Sequence, residues 1–241
     1  MITLGLTAFS GGPLASQDAF DISVYPAATA SRGEWDFDGQ VNYTNRGSTG
    51  FSGALAPTQG QVRFTGQLTR GITDHWEISA FVLGAQVPTL GLEYAGWRLR
   101  SRLDAPDSWR LPVQLGLSVE LENAQPAFNE SKRGLELAAV LERRIAGLQL
   151  IVNAAFERDL TGPGHEFEFE PKARAAARVS DAVKLGVEYY STTAPGSWQQ
   201  VFPTADVRVS NGFIWHAGVG FGTVHAADRL LFTSRFDVSI P

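Results

Sequence analysis

From Gly33 onward the chain alternates apolar and polar residues with a period of two, in segments of about ten residues separated by turn formers. A period of two sends successive side chains to opposite sides of a strand, so each segment carries one apolar and one polar face. In the first, Trp35, Phe37, Gly39, Val41 and Tyr43 oppose Glu34, Asp36, Asp38, Gln40 and Asn42. In the fifth, Leu111, Val113, Leu115, Leu117, Val119 and Leu121 oppose Gln114, Gly116, Ser118, Glu120 and Glu122. In the eighth, Phe167, Phe169, Ala173 and Ala175 oppose Glu166, Glu168, Glu170, Lys172 and Arg174.

The pattern predicts strands near residues 34–44, 61–70, 75–85, 93–103, 111–122, 134–144, 147–158, 165–178, 182–191, 200–209, 212–221 and 229–240. Their connections fall into two alternating classes. Residues 71–74, 104–110, 146–147, 180–182 and 210–211 form the short class. Residues 45–60, 86–92, 123–133, 159–164, 191–199 and 222–228 form one that is longer or richer in Gly and Pro. Short turns on one rim and longer loops on the other match barrels of the bacterial outer membrane, whose periplasmic turns are the short ones. The fold expected is an all-β, antiparallel up-and-down transmembrane barrel of about twelve strands, with both termini on the short-turn side.

A soluble sandwich or lipocalin-like barrel shows the same alternation with the apolar face turned inward. Two features favour apolar-out. Lys is scarce, and the polar face carries Gly, Ala, Ser, Gln and opposite charges instead. The aromatics also sort by height: Trp35, Trp76, Trp109 and Trp215 near the short-turn rim, Tyr43 and Tyr189 near the other, with Trp97 nearer mid-strand. Amphipathic rings favour the membrane–water interface. The expected surroundings are a lipid bilayer with lipopolysaccharide, in the bacterial outer membrane.

Several classes fall away. A net charge of -5 lacks the dense basic face that nucleic acid requires. With no cysteine, disulfide scaffolds, thiolate metal sites and cysteine nucleophiles are excluded. No segment reaches the roughly 18 apolar residues of a membrane-spanning helix. The four histidines, His75, His165, His216 and His225, show neither metal-ligand spacing nor a partner hydroxyl on the lipid face, where Ser101 and Ser234 lie. No cofactor, metal or catalytic residue is assigned, and His216 reads as a hydrogen-bonded inward residue.

Residues 1–19 carry an apolar patch followed by small residues and read as a signal-peptide remnant or a disordered or lumen-inserted N-terminus. Residues 20–32 are extended and half apolar, with Pro26 excluding a central strand, so they either plug the barrel or reach into the periplasm. Residues 33–241 form the barrel. Residues 45–60 either constrict the lumen or stay outside it, and their Gly/Ser/Thr content argues for mobility.

The segments "GITDHWEISAFVLGAQ" and "ARVSDAVKLGVEYYS" resemble the repeated turns of proteobacterial outer-membrane β-barrels, of the small, roughly twelve-stranded porin-like kind. Inside such a barrel the polar face lines the lumen. Strand direction puts Glu120, Glu122, Glu136, Glu157, Glu168, Glu170 and Glu188 toward the long-loop end. It puts Arg98, Arg100, Arg102, Arg144, Arg174, Lys184 and Arg208 toward the periplasmic half. The expectation is an acidic outer vestibule above a basic inner half, a channel passing small polar solutes or ions by electrostatic selection. The alternatives are a plugged, anchoring barrel whose charges neutralise one another, with Glu77–Arg102 and Asp36 or Asp38 with Arg235 as pairs, and a lipid-modifying enzyme. Arg98, Arg100 and Arg102 also resemble, in architecture, the inward arginines of small monomeric acidic-oligosaccharide porins. Oligomeric state and solute identity stay open.

Overall fold

The computed structural model describes residues 18–161, 166–193, 198–222 and 228–240. Its strands are β1 (Trp35–Arg46), β2 (Val62–Thr73), β3 (Trp76–Val87), β4 (Gly91–Asp104), β5 (Gln114–Ala124) and β6 (Arg133–Ile145). The second half comprises β7 (Leu148–Asp159), β8 (Glu168–Arg178), β9 (Val183–Ser191), β10 (Gln199–Ser210), β11 (Phe213–Gly222) and β12 (Leu230–Ile240). Each pairs antiparallel with its sequence neighbours, and β1 closes on β12 from Trp35↔Ile240 to Tyr43↔Phe232. Closure leaves no strand edge, as hydrocarbon demands, because an unpaired N–H or C=O has no water there.

Two strands begin later than the alternation suggests. β5 starts at Gln114 rather than at residue 111, so Leu111 and Val113 lie in a turn with a short 3-10 segment, Asp107–Trp109. Pro112 has no N–H to give a ladder. β8 starts at Glu168, where its ladder with β7 ends at Glu157↔Glu168. His165 and His225 lie outside the described residues. The turn classes also shift at two places: residues 88–90 are a tight connection on the loop side, and residues 105–113 are a longer one on the turn side.

A bulge in β4 adjusts the alternation. The β3–β4 register passes from Leu83↔Gly96 to Gly84↔Tyr94, skipping Ala95. Tyr94 and Trp97 therefore both face outward, and Arg98, Arg100 and Arg102 face in. Gly96 permits this, since a Cβ there would run into the Asn123 carbonyl oxygen across the ladder.

The outer surface is apolar. Val82 is 64% exposed and Leu117 60%, with Leu99, Ile78, Val187 and Leu121 likewise open. An apolar surface continuous around a barrel is stable against lipid rather than water. At the short-turn rim Trp35, Trp76 and Trp215 are exposed. Trp76 Nε1 donates to Ser101 Oγ (3.0 Å) and Trp215 Nε1 to Ser234 Oγ (2.9 Å). The two outward serines thus satisfy indole N–H groups at the interface. Tyr43 stacks on Phe232 at the opposite end, and Tyr189 is half-buried near the end of β9.

Candidate functional site

The lumen is occupied by the chain's own N-terminal segment. Residues 18–33 run extended through the barrel, from the long-loop end at Asp18 to the short-turn rim, where Gly33 N donates to Gly71 O (2.9 Å) before β1 turns back. Gly71 is needed at this exit, because a Cβ on it would strike the Ser31 carbonyl.

Between Ala19 and Ala30 most of the segment's backbone partners are wall side chains rather than a strand ladder, apart from the turn in which Asp18 accepts from Phe20 N and Asp21 N. At the loop end Asn42 Nδ2 donates to Ala19 O (2.7 Å), Thr65 Oγ1 to Phe20 O (2.6 Å) and Gln40 Nε2 to Ile22 O (3.0 Å). In the middle Asn153 receives Tyr25 N (2.8 Å) and donates to Tyr25 O (2.9 Å), while Ala27 N donates to Glu142 Oε2 (3.1 Å). Below, Arg102 donates to the Pro26 and Ala28 carbonyls, and Ala30 N donates to Glu77 Oε2 (2.6 Å). A backbone stripped of water must find partners, and the polar lumen supplies them.

The segment's side chains fall into three surroundings. Ala19, Ile22, Val24 and Ala27 join Val140, Ile151, Tyr190, Trp198, Phe202 and Leu231 in one buried cluster. Phe20 enters a second with Ala56, Phe81, Leu83, Ala85, Val87 and Ala95, its ring edge-on to Phe128 at 5.7 Å. Asp18 and Asp21 meet the arginines. Arg98 pairs with Asp18 and with Glu122 (3.3 Å). Arg100 reaches Asp21 (2.9 Å) and Glu120 (2.6 Å) and lies 4.0 Å from the Tyr25 ring centre. Tyr25 donates its hydroxyl to Asp21. Two small cavities of about 10 Å³ with mixed polar and apolar linings adjoin Tyr25, each the space of about one water molecule.

The charges interleave more than strand direction suggested. The β4–β5 register sets Arg98 opposite Glu122 and Arg100 opposite Glu120, so acid and base share a height there. Glu120, Glu136, Glu157 and Glu168 form a row across adjacent strands, with Lys172 bridging to Glu136 (3.3 Å) and Glu170 on the same face of β8. Further round the wall, from β8 to β11, Arg174 binds Asp206 and Glu188 (3.4 Å), His216 Nδ1 meets Asp206 (2.7 Å), and Tyr190 donates to Glu188 (2.7 Å). Lys184 is half-buried opposite Asp206 in register. Arg144 and Arg208 are exposed toward the short-turn rim, Arg144 holding Glu142 at 2.8 Å. Glu77 and Arg102 pair at 2.8 Å, whereas Arg235 binds Asp237 on its own strand (3.0 Å) and Ser23 of the segment (2.6 Å).

Sequence reasoning passed over the residues that hold the segment: Gln40, Asn42, Thr65, Glu142 and Asn153. It also passed over the inward apolar side chains. The sign was present in β3, where Ile78, Ala80 and Val82 face lipid while Phe81, Leu83 and Ala85 face in. A strand apolar on both faces has something covering each. Residues 45–60 make defined contacts in the structure. They fold over the outer mouth, Ala56 N bonding Ala127 O (2.9 Å) and Thr58 bonding Ser48 and Asp228.

No family model matches the chain, and no curated protein matches it in sequence. Its backbone is nonetheless similar to solved outer-membrane proteins. The KdgM porin superposes with a TM-score of 0.63 at 8% identity, over 86% of this chain and 99% of that one. An outer-membrane channel from Pseudomonas putida F1 gives 0.58 at 11% identity, over 91% and 100%. The NanC porin gives 0.56 at 8% identity, over 85% and 99%. Twelve strands closed on themselves, an apolar girdle flanked by aromatics and these superpositions agree: the chain has the fold of the small porin-like barrels of the bacterial outer membrane.

Proposed function

We propose that the chain resides in the bacterial outer membrane as a channel for small hydrophilic solutes, closed in this state by its own N-terminal segment. The observation that carries the reading is how that segment is held. Wall side chains and ion pairs retain it, and these exchange for water far more readily than a β-ladder within the sheet does. Its departure would leave a lumen lined by Arg98, Arg100, Arg102, Glu120, Glu136 and Lys172, a charged conduit of the kind that steers ions and polar solutes. The fold likeness to porins supports the same role, and one KdgM structure contains a disordered oligogalacturonate, a polar chain.

The two apolar clusters favour a second reading, a permanently sealed barrel. A disulfide lock separates the two. Gly116 lies against the segment, a Cβ on it standing 2.9 Å from the Ala27 carbonyl oxygen and 3.4 Å from the Ala27 Cα, so a small shift of the segment brings Ala27→Cys and Gly116→Cys within bridging reach in this cysteine-free chain. In a planar bilayer with a salt gradient, the oxidised double variant is expected to be silent and the reduced one to show open steps with a definite reversal potential. Silence in both forms, from protein shown to be folded, would establish the sealed barrel.

A further inference from the structure

The contacts inside the lumen identify what the conduit is built to hold. Asn42, Thr65 and Gln40 bond carbonyl oxygens of the segment, Glu142 accepts from an N–H, and Asn153 serves both groups of Tyr25. These partners stand on β1, β2, β6 and β7, so they address the segment from opposite sides. Every one of them touches main-chain atoms, which any peptide presents. Alternating N–H donors and C=O acceptors at the spacing of extended chain distinguish a peptide from a sugar chain, whose hydroxyls both donate and accept. Side chains of the segment that bond are Asp18, Asp21 and Ser23, toward the wall, and Tyr25, toward Asp21.

We propose that the lumen is a binding site for extended oligopeptides, recognised through their backbone and favoured by acidic residues toward one end, and that the N-terminal segment occupies it as an internal mimic. This rests on the channel reading and names its solute class. Recognition of this kind tolerates varied side chains wherever the two apolar pockets can accept them, while the arginines on β4 set orientation by holding the acidic end. A tethered mimic and a free solute then compete for one site, which couples opening to solute supply.

The test uses the full chain with a protease recognition sequence inserted between the exposed Ser31 and Arg32. After refolding and cleavage the segment is a non-covalent ligand, and exchange with fluorescent competitors is followed by anisotropy. Three synthetic peptides serve as probes: residues 18–31, a sequence scrambled except for the two aspartates, and residues 18–31 N-methylated at Tyr25 and Ala27. An oligogalacturonate of matched length and charge is the fourth. The first two are expected to bind within about tenfold of each other, and N-methylation to weaken binding by at least about tenfold. Oligogalacturonate binding as well as the peptides, N-methylation without effect, or failure of the cut segment to exchange would overturn the proposal.

Conductance of the cleaved protein separates this proposal from the one beneath it. A barrel that conducts once the segment has left but takes up no peptide keeps the channel and loses the peptide site. A barrel that never conducts overturns the channel reading directly. Should the insertion block refolding, amide exchange in the uncut chain is an equivalent readout. Excess competitor peptide is expected to speed exchange at Tyr25 and Ala27, and matched oligogalacturonate to leave it unchanged. The reverse pattern would overturn the proposal.

Discussion

Reversing the charge at Arg100 tests whether ion pairs hold the segment in place. The guanidinium is 4% exposed and joins Asp21 of the segment (2.9 Å) to Glu120 of β5 (2.6 Å). Arg100→Glu sets a carboxylate opposite Glu120 in register and facing Asp21. Breaking a buried pair by removing one partner costs roughly 3–5 kcal/mol. Strand register holds Glu120 where it is, but the segment can leave, so most of that cost falls on docking. At about 1.4 kcal/mol per factor of ten, the undocked fraction rises by roughly two to three orders of magnitude. Chymotrypsin reads this directly, since Phe20 is 3% exposed while docked and becomes cleavable on release. The variant is expected to be cut there rapidly, with the barrel otherwise intact and conductance raised. Adding Asp21→Arg restores an opposite pair and is expected to slow cleavage again. Wild-type cleavage in Arg100→Glu, or no rescue by Asp21→Arg, would refute the reasoning.

Other perturbations address other links. Asn153→Leu removes both bonds to Tyr25 and is expected to weaken docking by about 2–4 kcal/mol, read as faster amide exchange over residues 24–27 with unchanged barrel melting. Gly71→Ala sets a methyl against the Ser31 carbonyl and is expected to free the exit of the segment, raising open probability while strand pairing persists. Val119, at the middle of β5 and exposed, probes the lipid face better than Leu115, which lies at the turn end of that strand. Val119→Lys is expected to cost about 2–4 kcal/mol of folding free energy in lipid, whereas insertion at wild-type stability would invert the assignment of faces. Ser101→Ala, which strips Trp76 of its acceptor, is expected to cost no more than about 1 kcal/mol, measured by urea titration in bilayers.

The occupied lumen changes what its charges do. In an empty pore, like charges aligned across strands would set an electrostatic filter. Here Arg98 and Arg100 are already neutralised by Asp18 and Asp21 from the segment and by Glu120 and Glu122 from β5. On the channel reading proposed above, release of the segment would uncover two cationic groups together with the carboxylates beside them, and the ion preference would follow from which of these remain paired.

The alternation of Trp35 to Tyr43 or of Leu117 to Glu122 was enough to establish strands, faces and closure. In an up-and-down barrel each strand's partners are its sequence neighbours, and the lipid that selects the outer face is the same along every strand. Nearest-neighbour turns such as 146–147, and to within one residue the turn after β10, were legible for that reason. What fills the interior was not. The bonds between Tyr25 and Asn153 join residues 128 apart, and parity states only that Asn153 points inward, not what it meets. The mixing of acid and base on β4 and β5 depends on the register between those two strands, which the parity of either strand alone does not supply. The sequence by itself thus determined a lipid-facing barrel with a polar interior. Only the tertiary structure decided that the interior is closed, because a side chain's direction is local chemistry whereas its partner across the lumen is set by how the whole wall curves around one segment.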